Sequence, residues 1–599
     1  MAKTIPARKD VPAKDKWNLS SIYKSDTEWE DALKKLPELT KAVAEFKGKL
    51  GESSKTLLEA LKAIEKVNLQ METVYHYASL QHEADEDDTQ ATDREGRAMM
   101  AYTQMEAELS FIEPELQEID ETNLRKWIAL PEFADYKIFI EKLLHFKKYI
   151  LSEKEERILS LQMQTAQTPD TVFSVLTNVD MNKTFGNVNV NGEEQQLTET
   201  TWGLFMHNQD RKVREDAYKK FYAKYEEHQN TIAALYAGSV NQDVFSMRAR
   251  GYGSSLEQAL YGNKVPTSVY KNLIECIHKN LPTLHEYYTL RKKALGVDEL
   301  RHYDVYVPLV KSVDTKTTYE EAVEICRNAL SPLGKEYTDR LCDGLLNGWA
   351  DRYENIGKRS GAFSSGSYIG DPFILLNYNE ENIRDVFTMA HEGGHSMHSW
   401  YSVHNNPFMC YDYTIFEAEV ASTFNEELVF EYLLKNAKDD EMKKYLLAMR
   451  ADDILATLHR QTMFAEFELK AHEYVENGTP LTAELLRKTY RDLLELYFGP
   501  EMHFESNSDM EGLRIPHFYS AFYVYKYATG ISAALALAHR VTTGGDKERE
   551  DYFKFLKSGG SRYPIESLKI AGVDMENVDP VQAACDTFKD IVEQLKELL

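Results

Sequence analysis

Ile383-Arg384-Asp385-Val386-Phe387-Thr388-Met389-Ala390-His391-Glu392-Gly393-Gly394-His395-Ser396-Met397 repeats its apolar residues at Ile383, Val386, Phe387, Ala390 and Met397. Steps of three and four residues line these side chains along one face, so the spacing predicts an α-helix through the whole stretch. On such a helix His391 and His395 are neighbours. Two neutral imidazoles four residues apart can reach one zinc ion while the intervening Glu392 stays available as a base.

With 17 His in 599 residues, chance alone places His-Glu-x-x-His in roughly one such chain in twenty. Further features must carry the reading. Gly393-Gly394 is one, because each glycine inside a helix costs about 1 kcal/mol relative to alanine, which implies a close approach to the backbone. Tight packing of a second helix is the plain alternative to a functional approach there.

A catalytic zinc takes three protein ligands and keeps a fourth position for water. His398 shares the face of His391 and His395, but seven residues span about 10.5 Å along a helix, too far for bonds of about 2.1 Å to one ion. That leaves His398 for a contact around the ligands or substrate, or for the helix surface. The metzincin continuation requires glycine at 398 and histidine at 401, where this chain has His398 and Tyr401. Carboxylates come next. In Phe416-Glu417-Ala418-Glu419-Val420-Ala421-Ser422-Thr423-Phe424-Asn425-Glu426-Glu427, Glu419 and Glu426 share a helix face and Glu417 points elsewhere.

His-Glu-x-x-His followed by a helix reading Glu-Val-Ala-Ser-Thr resembles the thimet oligopeptidase family of zinc metallopeptidases, particularly its oligoendopeptidase F branch. The resemblance extends to Phe373-Ile374-Leu375-Leu376-Asn377-Tyr378-Asn379 and Arg514-Ile515-Pro516-His517-Phe518-Tyr519 and covers nearly the whole chain. It implies Glu419 as the third metal ligand with His391 and His395, one Zn2+ per chain, and Glu426 as the residue orienting a ligand histidine. It also implies a mainly α, multi-helical fold enclosing a deep channel that admits short peptides, with a small β-sheet near the active site.

The implied chemistry is hydrolysis of internal bonds in oligopeptides, in which zinc polarises a water and the scissile carbonyl while Glu392 removes the water proton. Carboxypeptidase-like trimming on the same scaffold is an alternative, as is a catalytically silent peptide-binding protein. Charge growing on the carbonyl oxygen needs further donors, for which His517 and the tyrosines after it are candidates. Of Tyr519, Tyr523, Tyr525 and Tyr527, amphipathic packing could account for all four. Tyr523 and Tyr527 share a helix face and are favoured.

Around this centre the chain is largely helical in period. Leu57, Leu61, Ile64, Val67, Met71 and Val74 form one apolar stripe. Amphipathic stretches occupy much of 25–180, with Pro37 expected to interrupt the first and Glu83 to Asp88 marking a solvated turn. Val188 and Val190 followed by Asn191-Gly192 predict a tight β-hairpin. The expected organisation is therefore a helical amino-terminal region, 1–200, ending in that hairpin, and a catalytic domain, 201–599. Ser360 to Gly370 is either a surface loop or a strand edge able to pair with an extended peptide, and Ile374 to Tyr378 reads as a buried strand.

Composition bounds the partners. The 70 Lys+Arg against 97 Asp+Glu give a formal charge of -27, which repels phosphate backbones and anionic lipid, so neither nucleic acid nor membrane is expected. Met1 to Trp17 lacks the apolar core of a secretory signal, and no stretch reaches about 18 consecutive apolar residues. Five scattered cysteines fit free thiols in a reducing compartment, so the expectation is a cytoplasmic protein.

Overall fold

The computed structural model describes residues 5–310 and 316–599. Helix dominates, and the strands among the described residues are two to four residues long. The chain divides into two compact units, each assembled from three segments.

The first unit comprises Met1–Lys148, Asp314–Lys435 and Leu537–Val573. Helices α1 (Asp26–Ala44), α2 (Ser54–Ala84) and α3 (Thr89–Leu109) pack together. The stripe from Leu57 to Val74 lies in their common core with Trp29 and Leu36. Pro37 does not interrupt α1, which runs through it. A proline removes the bond its N–H would make, and here burial of Trp29, Leu36 and Val43 on one face holds the helix together. Asp88 ends the solvated turn by capping α3, its side chain accepting the Gln90 N–H.

Three short strands complete this core. β1 (Ala350–Asp351) pairs in parallel with β3 (Phe373–Leu375), which pairs antiparallel with β2 (Phe363–Ser365). β3 is the central strand and fully buried, as its apolar run requires; β2 is an edge. Helices α4 (Arg384–Asn405) and α5 (Ile415–Lys435) pack on each other beside this sheet.

The second unit comprises Tyr149–Val313, Asn436–Ala536 and Asp574–Leu599. Its hairpin joins Asn187–Val190 to Glu193–Gln196 through Asn191 and Gly192, whose φ angles of +54° and +92° are the left-handed pair such a turn needs. Helix α6 (Gln461–Glu476) runs through its core, and α7 (Tyr525–Thr543) begins in this unit. Between Leu455 and Arg460 the chain takes one wide π turn. There Arg460 reaches the buried Glu511 at 2.6 Å. No helix among the described residues is long and apolar enough to cross a membrane, and all five cysteines are buried and unbridged.

Candidate metal centre

The helix read from the sequence is α4, and it carries His391 and His395 one turn apart on the same face. Their Nε2 atoms lie 3.2 Å from each other. Glu419 comes from α5, placing Oε2 3.3 Å from His391 Nε2 and 3.5 Å from His395 Nε2. Ligands about 2.05 Å from a tetrahedral ion stand about 3.3 Å from one another. These three side chains therefore fit one divalent cation, and they are the donor cluster of that kind found among the described residues.

The two helices can approach because of Gly394. A Cβ at that position would lie 2.6 Å from the Ala421 carbonyl oxygen and 2.6 Å from Ser422 Cα, both backbone atoms that cannot swing aside. Gly393 is less constrained, since a Cβ there would meet the Leu341 side chain at 3.0 Å. The glycine pair thus serves tight helix packing, and that packing is what delivers Glu419. Asn425 fastens the pair, donating to the Ala390 carbonyl at 3.1 Å and accepting from the Tyr337 hydroxyl at 3.1 Å.

Seven residues beyond Glu419, Glu426 places Oε1 2.5 Å from His391 Nδ1. With Nδ1–H donating to that carboxylate, Nε2 is left as the lone pair aimed at the metal position. Ser422 donates to Glu419 Oε2 at 3.0 Å and steadies it in the same way. Glu417 points away as expected, accepting from the Thr414 hydroxyl and N–H.

Glu392 is buried beside the two histidines. Burial raises its carboxyl above the usual range, while His391 and His395 and the Ser364 backbone pull it down. Ser364 is the centre of β2, so the glutamate meets the edge strand. The sheet sits close because its contacts with α4 are small: Ser364 Oγ is 2.8 Å from Ser396 Oγ, and a Cβ on Gly366 would lie 2.6 Å from Ser399 Cβ. Sequence reasoning missed Ser364, Ser422 and Asn425. The density of serine and glycine in 360–370 was the signal available for the first.

His398 lies outside the cluster of His391, His395 and Glu419 and is not on the helix surface. It is 1% exposed, stacked on Tyr413 at 3.7 Å and 8°, with Nδ1 buried and unbonded. Burial lowers its pKa to about 3.

The remaining candidates lie in the second unit. His517, Tyr523 and Tyr527 face one another with ring centroids 5.5 to 6.2 Å apart. None of the three is buried. Tyr519 and Tyr525 are packing residues, stacked on Phe173 at 4.6 Å and tilted on Tyr270 at 5.1 Å. The structure so separates two of the four tyrosines from the other two.

Residues 204–587 match the sequence profile of Peptidase family M3, and residues 115–182 match that of Oligopeptidase F. The β-hairpin lies in the interval between them. The chain is 42% identical to an oligoendopeptidase F homolog of Borreliella burgdorferi, covering 99% of both chains. It is 41% identical to oligopeptidase PepF of Bacillus subtilis, covering all of this chain and 89% of that one. Among solved structures it is similar to one described as a peptidase from Chlamydophila abortus, at 34% identity, a TM-score of 0.93 and full coverage of both chains. Oligoendopeptidase-F from Enterococcus faecium gives 31% identity and a TM-score of 0.71 over 96% of this chain and 99% of that one. With one profile spanning most of its length and these relatives spanning nearly all of it, the chain belongs to peptidase family M3 and is a metallopeptidase.

Proposed function

We propose that this chain is a zinc endopeptidase hydrolysing internal bonds of short oligopeptides. The observation that carries the reading is the convergence of His391, His395 and Glu419 at 3.2 to 3.5 Å beside the carboxylate of Glu392. Two imidazoles and one carboxylate are a donor set suited to zinc with a position left open. The names of the Borreliella and Bacillus relatives support the substrate class.

Zinc held by these side chains supplies a Lewis acid that polarises the scissile carbonyl and eases deprotonation of water. Glu392 takes the proton of the attacking water and passes it to the leaving amine. His517, Tyr523 and Tyr527 donate hydrogen bonds to the oxygen on which charge develops. The edge of β2 holds the peptide through its main chain, which suits an enzyme acting on many sequences. A cytoplasmic location is part of the same reading, supported by five buried, unbridged cysteines.

Hydrolysis of a quenched fluorescent peptide, abolished by a chelator and restored by zinc, tests the activity. Mass spectrometry of a digested peptide library should show internal cuts. Ladders shortened from the carboxyl end would favour trimming, and bound but intact peptides would favour a silent binding protein. His517→Ala and Tyr527→Phe should lower kcat by about tenfold or more with smaller changes in KM, as donors acting mainly on the transition state do. Changes confined to KM would reassign both to substrate binding.

A further inference from the structure

Glu468, on α6, is fully buried, and its Oε1 accepts the Phe522 N–H at 2.6 Å. Its other oxygen, Oε2, is buried without a hydrogen-bond partner. A carboxyl group taken out of water for one backbone donor is a costly arrangement, and Phe522 shows what it secures. That residue has a φ of +55°, a left-handed conformation that a bulky side chain keeps only when its surroundings over-determine it.

The surroundings do so from two sides. The Phe522 ring sits 4.5 Å from His472 and 5.7 Å from Tyr270. His472 is itself fixed one turn along α6, with Nδ1 donating to the Glu468 carbonyl at 2.8 Å and Nε2 3.2 Å from Asp243. At the other end of the segment the Phe518 ring lies 5.2 Å from Phe467 and 5.8 Å from Phe464, both also on α6. One helix thus grips the chain at Phe518 and at Phe522. Between and beside these anchors the rings of His517 and Tyr523 lie nearly parallel, 6.2 Å apart.

We propose that Glu468 is a positioning residue for catalysis: by accepting the Phe522 N–H it locks the left-handed turn that sets Tyr523 against His517. The inference rests on the reading of His517 and Tyr523 as groups acting on the substrate. Burial pushes the Glu468 carboxyl well above the usual carboxylate range. Glutamine reproduces its size and acceptor. Methionine keeps the volume and removes the acceptor.

The test uses the full-length, zinc-loaded protein and a quenched fluorescent peptide, with kcat, KM, metal content and thermal unfolding measured for each variant. Tyr523→Phe should lower kcat by about tenfold or more. Glu468→Gln should stay within about threefold of the parent, while Glu468→Met should lose about tenfold in kcat with KM and metal content little changed. In the Glu468→Met background, Tyr523→Phe should cost less than about threefold, because the hydroxyl is already misplaced. Parental kcat in Glu468→Met, equal losses in the Gln and Met variants, or effects that simply multiply would overturn the inference. A parental kcat in Tyr523→Phe would instead remove Tyr523 from the mechanism, and the inference with it. Should Glu468→Met not unfold cooperatively, Phe522→Leu carries the test, with the same loss of kcat expected and an unchanged kcat overturning it.

Discussion

His391 turns its Nδ1 toward Glu426, whose Oε1 lies 2.5 Å away, while its Nε2 faces Glu419 Oε2 at 3.3 Å. Two carboxylates seven residues apart on α5 thus address both nitrogens of one imidazole. In the zinc site proposed above, Glu426 would fix the tautomer and strengthen the ligand, so Glu426→Gln should weaken zinc binding by about 10- to 100-fold. Competition against a graded series of chelators measures this. An unchanged affinity would show that the carboxylate has no hold on the metal.

Glu419→Ala should lose zinc on dialysis against a weak chelator, because it removes one of three ligands and their only negative charge. His398→Ala should retain zinc and be destabilised by about 1–3 kcal/mol, through loss of its packing against Tyr413 and Phe555. The reverse pattern would exchange the two roles.

Glu392→Gln should keep its zinc and lose about 100- to 10,000-fold in turnover, because the amide matches the carboxylate in size but cannot take a proton. Single-turnover rates at saturating peptide separate this from weaker binding. Near-parental rates with full metal content would exclude Glu392 as the base.

Gly394→Ala should cost about 1–3 kcal/mol, since the new methyl would meet the backbone of α5 at 2.6 Å. Zinc retention should fall with it, because pushing α5 away withdraws Glu419 and Glu426 together. Gly393→Ala should be milder, as the Leu341 side chain it meets can turn. Equal effects in thermal unfolding and metal content would contradict the packing role assigned to Gly394.

In the second unit Glu511 is paired with Arg460 at 2.6 Å and accepts from the Tyr490 hydroxyl at 2.8 Å. Burial alone would push its carboxyl up, but Arg460, with His302 and Arg514, holds it at about 2 against an ordinary 4.5. Its contribution to stability is therefore complete above 4.5 and is lost as the pH falls from there toward 2, where the unfolded chain takes up the proton first. Glu511→Gln should destabilise the protein by about 3–5 kcal/mol at neutral pH by leaving Arg460 buried and unpaired. That deficit should narrow below pH 4.5. A pH-independent deficit in denaturant unfolding would show that lost packing, not charge, accounts for it.

Local chemistry made much of this legible beforehand. The four-residue step from His391 to His395, the seven-residue step from Glu419 to Glu426, the Asn191-Gly192 turn and the stripe from Leu57 to Val74 are set by helix and hairpin geometry, which act over a few residues. Pro37 departs from the sequence expectation for the opposite reason: a proline penalty is local, and the burial of Trp29, Leu36 and Val43 that outweighs it is tertiary.

By itself the sequence determined which side chains could share a face and which donor types were present. It left Gly393 and Gly394 equivalent, His398 without a place, the four tyrosines undivided and Glu468 unnoticed. Tertiary structure decided each of these, because each depends on what another part of the chain brings up against it. Gly394 meets the backbone of α5, His398 meets Tyr413, and Tyr519 and Tyr525 meet Phe173 and Tyr270. Glu468 finds its one donor 54 residues away, at Phe522. Periodicity records the direction in which a side chain leaves its own helix; only packing records what stands there to receive it.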